Sequence, residues 1–133
     1  MATEHINPAG VSEPTGYTHV VSSDGARTVY ISGQIAINAA GELVGGNDLA
    51  AQADAVFSNL TACLAEVQAT LADVVKFTTY VVNFKPEDRA IVAAARQKHL
   101  PASNPPASTL VGVQALARPD LLIEIEAIAV LAQ

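Results

Sequence analysis

The chain has 133 residues and a mass of 13.7 kDa, which fits one domain over residues 1–133 and excludes two of ordinary size. Half of its residues are apolar and 15% are charged, a balance that excludes a largely disordered chain. Seven Lys and Arg against 13 Asp and Glu leave a net charge of −6, so no nucleic-acid partner is expected.

Cys63 is the one cysteine, and His5, His19 and His99 show no metal-ligand spacing. No metal site, and no internal disulfide, is therefore expected. The first residues, MATEHINPAGVSEPTG, lack the basic and apolar regions of a signal peptide. No apolar run reaches the roughly 20 residues that span a bilayer. The expected location is the cytoplasm, with no membrane partner.

Residues 1–16 carry Asn7-Pro8, Gly10, Pro14 and Gly16 and read as an irregular lead-in. Thr18–Ser22 and Thr28–Ser32 are β-prone, and Ser23-Asp24-Gly25 between them predicts a hairpin. Gly33 interrupts the second run, as at a bulge or a close backbone approach, and Ile35 and Ile37 extend it. Residues 38–47 read as a loop. Leu49, Ala53, Val56, Leu60, Leu64, Val67 and Leu71 recur every three or four residues, which predicts a helix over 48–70 capped by Asp48. Gln52, Asn59, Glu66 and Gln68 lie opposite that stripe. The β-branched run at 73–83 predicts a strand, and Pro86 with Glu87 and Asp88 predicts the start of a helix to His99. Residues 107–116 and 121–131 read as two strands joined by a turn at Arg118-Pro119-Asp120.

Two helices over one face of a sheet make the economical α+β arrangement. One face of the last strand carries Ile123, Ile125, Ala127, Ala129 and Leu131; the other carries Leu122, Glu124, Glu126, Ile128 and Val130. Two helices cover one face only, so the second, partly apolar face calls for another copy of the chain.

The segments GYTHVV at 16–21, VYISGQI at 29–35, GELVGG at 41–46, DVVKFTTYV at 73–81, PPAST at 105–109 and LIEIEAIAV at 122–130 together resemble the reactive intermediate deaminase family, also called the YjgF/YER057c/UK114 proteins. The resemblance implies a chorismate-mutase-like α+β fold, a homotrimer whose sheets form a central barrel, and small-molecule clefts between subunits. It implies hydrolysis of 2-imino acids to 2-oxo acids and ammonia without a cofactor. A ribonuclease-like activity, attached to some members, is disfavoured by the acidic charge. The family's carboxylate-binding arginine falls on Ser108, and its asparagine on the second helix falls on Ile91-Val92. A hydroxyl cannot supply the two-pronged charged grip of a guanidinium. Non-catalytic binding of a metabolite is the alternative function.

The resemblance assigns Glu124 to activating water, Tyr17 and Gly33 to the cleft, and Leu110 to a frequent cysteine position. Main-chain groups at Gly33 and at Ser108, Thr109 and Leu110 would hold the ligand. Arg118, in the turn, is a candidate to replace the family's arginine, although turn arginines are usually solvated. A simpler role stands beside each: Glu124 as a hydrogen-bond lock between subunits, Tyr17 as a core-edge cap, Arg118 as a solvated turn residue.

Overall fold

A computed structural model describes all 133 residues. The elements are β1 (Thr3–Ile6), β2 (Val20–Ser23), β3 (Arg27–Gln34), α1 (Leu49–Ala65), β4 (Val74–Val82), α2 (Asp88–His99), β5 (Ala107–Val113) and β6 (Ile123–Leu131). The result is an α+β fold, with two helices packed on a mixed four-stranded sheet.

Helix α1 forms where the apolar spacing places it. Asp48 is extended at φ −116° and accepts the amides of Ala50 and Ala51 at 3.0 and 3.4 Å, satisfying two otherwise unpaired donors. The stripe buries Ala53, Val56, Phe57, Leu60 and Leu64 against Ile123, Ile125, Ala127, Ala129 and Leu131 of β6. Each large apolar side chain buried in this way contributes about 1.5–3 kcal/mol. Phe57 meets Phe77 of β4 edge to face at 6.0 Å. The helix ends at Ala65 rather than near residue 70, because Gln68 turns the chain at φ +57°. Gln52 and Asn59, placed opposite the stripe by the sequence, turn inward. Buried Gln52 donates to the carbonyls of Gly46 and Asp120 and accepts the Leu122 amide; Asn59 donates to those of Ile35 and Ile37.

Strand pairing departs from the sequence expectation in three places. The lead-in contains β1, which pairs with β2, so β2 and β3 form no hairpin. The sheet order is β3-β6-β4-β5, so β4 lies between β5 and β6, and the Arg118 turn links strands that are not neighbours. Parallel pairing of β4 with β5 is made possible by α2, which carries the chain back over the sheet. The bulge signal at Gly33 is realised as a register shift between Ile31 and Gln34, and β3 stops there, short of Ile35 and Ile37. Pro86 precedes α2 by two residues, and β5 ends at Val113.

The two faces of β6 separate as their residues dictate. The Ile123-to-Leu131 set is buried, whereas Glu124, Ile128 and Val130 are half-buried and Glu126 is exposed. Tyr30, paired with Ile128 on the outer face, is 77% exposed.

Candidate functional site

The cavity of interest lies between α2 and edge strand β5, and the chain's early segment closes it. Thr18 donates its amide to the Pro106 carbonyl at 3.1 Å and its hydroxyl to the Pro105 carbonyl. This latch sets Tyr17 beside the start of β5. Tyr17 is further held edge to face against His19 at 5.2 Å, and the His19 ring bonds the Ser12 carbonyl at 2.7 Å. The cavity has a volume of about 360 Å³, within the range that admits small molecules.

Ser108 and Leu110 point into this space from β5, paired in register with Phe77 and Thr79 on the helix-covered face. Phe84 supplies an apolar wall and packs on Gly112, where a Cβ would stand 2.7 Å from the Phe84 Cβ. Helix α2 contributes Val92, Arg89 and Arg96. Arg96 is half-buried and donates from Nη1 to the Ser108 hydroxyl at 3.4 Å. Burial lowers its pKa, and the nearby charge of Arg89 lowers it further. Gly16 faces the same guanidinium. Its φ is +77°, and a Cβ there would stand 2.9 Å from Nη2, so a side chain would be both strained and in the way.

The expected site residues fall into separate places. Tyr17, Ser108 and Leu110 meet in the cavity. Glu124 pairs across the ladder with Tyr80 on the opposite face of the sheet. Its carboxylate lies on Gly33, where a Cβ would overlap it, so the bulge glycine makes room for the glutamate. Neighbouring Glu126 accepts the Tyr80 hydroxyl, a bond that raises the Tyr80 pKa above its usual value. Thr109 faces the same side as Glu124 and accepts Lys76 Nζ at 2.7 Å. Arg118 lies outside the cavity. It donates Nε and Nη2 to the two oxygens of Asp120 at 3.1 and 2.7 Å and holds that carboxyl below the usual range. The guanidinium beside Ser108 therefore comes from α2. Arg89 and Arg96 were absent from the sequence candidates, although their spacing of seven residues puts them on one helix face.

A two-helix layer on a mixed four-stranded sheet, with a cavity between α2 and edge strand β5, defines the α+β class of the fold. Residues 10–131 match a family model described as Endoribonuclease L-PSP. A RutC family protein of Pyrococcus abyssi is 35% identical over 131 residues, covering 97% of this chain and 98% of its own. The crystal structure of YyfB from Yersinia pestis, described as a conserved Rid family protein of unknown function, is 47% identical with a TM-score of 0.93. It covers 98% of this chain and 100% of its own. RidA from an Antarctic Psychrobacter is 31% identical with a TM-score of 0.70, over 90% of this chain and 92% of its own. The chain belongs to the RidA/YjgF family. No helix is long and apolar enough to cross a membrane.

Proposed function

We propose that the chain binds a small imine in a cleft built on this cavity and hydrolyses its C=N bond, releasing ammonia. The observation that carries the small-molecule reading is the convergence of Tyr17, Ser108 and Leu110 on one cavity of about 360 Å³. Glu124 supplies the chemistry. It stands on the opposite sheet face, so a second copy of the chain must bring that carboxylate to the cleft. Water adds to the imine carbon and gives one proton to Glu124. Glu124 returns that proton to the nitrogen, giving a neutral carbinolamine; its hydroxyl proton then passes to the amine as the carbonyl forms and ammonia leaves. The imine carbon is already electrophilic, so these steps need no cofactor.

Ammonia release from freshly generated small imines, above the spontaneous rate, tests the proposal. Glu124→Gln keeps the shape and removes the base, and should lower the rate about 10²–10⁴-fold. Near-normal turnover by a correctly assembled variant would eliminate Glu124 as the base. If the wild type binds imines without accelerating their hydrolysis, the cavity is a binding site only.

A further inference from the structure

Two cations converge on the cavity with no carboxylate in its lining. The chain has 13 acidic residues, yet its three ion pairs are Lys98–Asp54, His99–Asp54 and Arg118–Asp120, all without Arg89 or Arg96. The only side-chain hydrogen bond made by Arg96 goes to neutral Ser108, which leaves most of its five N–H donors unused. Burial of Arg96 and its repulsion by Arg89 both disfavour the charged pair, so an anionic group at each guanidinium relieves both costs. Along α2 the two residues are separated by two turns, or about 10 Å. Arg96 sits half-buried beside Ser108, and Arg89 stands exposed at the rim. One guanidinium inside the cavity and another at its rim offer separate sets of donors to two anionic groups.

We propose that Arg96 and Arg89 form an anion anchor carried by helix α2, and that the cavity takes a small dicarboxylate, one carboxylate to each arginine. The proposal rests on the reading of this cavity as the ligand site. It moves the charge that Ser108 lacks from the strand to the helix, and it sets a preference for ligands with two separated anionic groups. Arg96 grips the inner carboxylate, with Ser108 and Tyr17 beside it; Arg89 selects the outer one.

Calorimetric titration at low salt with succinate, acetate and inorganic phosphate reads binding without requiring turnover. Succinate should bind more tightly than acetate or phosphate. Arg96→Gln should weaken succinate binding roughly ten- to hundredfold, the range for a lost charge-assisted contact. Arg96→Lys should fall between that variant and the wild type, because it keeps the charge and loses the fork. Arg89→Gln should bring succinate down to the affinity of acetate. Arg27→Gln removes the same charge from a residue that bonds the Val67 carbonyl elsewhere, and should leave binding unchanged. Equal affinities for succinate and acetate in the wild type would overturn the dicarboxylate assignment, as would tighter binding of phosphate. Unaltered succinate binding by the folded Arg96→Gln and Arg96→Lys variants would overturn the anchor itself. Failure of imine hydrolysis with these affinities intact would remove the chemistry and leave the anchor standing.

Discussion

Ser108 and Arg96 share one space. With Nη1 3.4 Å from the Ser108 oxygen, a longer side chain at position 108 would have to displace the helix arginine. Ser108→Arg should therefore weaken succinate binding by adding a third guanidinium to a site with two. Combining it with Arg96→Ser should recover part of the loss. A double-mutant cycle read by titration should show coupling between the positions, and strict additivity would mean that they do not compete. The clustering of Tyr17, Ser108 and Leu110 was legible from matching segments, because each is fixed by a local strand or turn. The source of the positive charge was not. A strand position dictates which face its side chain takes, whereas a long arginine on α2 reaches β5 only through packing that the sequence does not display. Its one local trace was the two-turn spacing of Arg89 and Arg96 around buried Val92.

Among the elements, α1 was legible because its period and its cap agree, and both are local. Strand order was not, since short β runs carry no record of their partners. The Arg118-Pro119-Asp120 turn has hairpin chemistry, yet β4 separates the strands on either side of it. The helix between β4 and β5 was the available clue, because parallel neighbours need such a crossover. Helices α1 and α2 are joined at Asp54, whose carboxylate meets His99 Nε2 at 2.9 Å and Lys98 Nζ at 3.0 Å, with the His99 ring stacked on Phe57. The His99 and then the Lys98 hydrogen bonds hold the Asp54 pKa below its ordinary value of 3.8. A depressed carboxylate stabilises the fold above its unfolded value, and this is lost as pH falls from about 3.8 through the folded value. Urea midpoints should fall over that acid range, and Asp54→Asn should flatten part of the decline. The side chain is 40% exposed, so solvent screening keeps the difference under about 1 kcal/mol. An unchanged acid limb in the variant would show that the cluster does not link the helices energetically.

For the whole molecule, the uncovered sheet face is the dominant feature. Tyr30, Ile128 and Val130 lie on it together with Glu124 and Glu126. An exposed apolar patch beside carboxylates is poorly suited to water and well suited to a second copy. We expect a homotrimer of about 41 kDa, three copies of 13.7 kDa, by light scattering at low micromolar concentration. Ile128→Lys should shift that mass downward by burying an unpaired charge at the interface. A wild-type monomer would remove the means by which Glu124 reaches a ligand. The buried and uncovered faces of β6 were legible in its alternation of residues; the exclusion of Thr109 and Arg118 from the cavity required the three-dimensional register.

Gly16 gives the helix anchor a second half. With φ at +77° and an added Cβ 2.9 Å from the Arg96 guanidinium, any side chain at position 16 would strain the backbone and push that guanidinium aside. The two residues are 80 positions apart in the chain, yet the fold sets them against each other, so Gly16→Ala should strain the turn and shift the Arg96 guanidinium, read as weaker succinate binding. A residue far away in the sequence thus shapes the wall on which the α2 arginine rests.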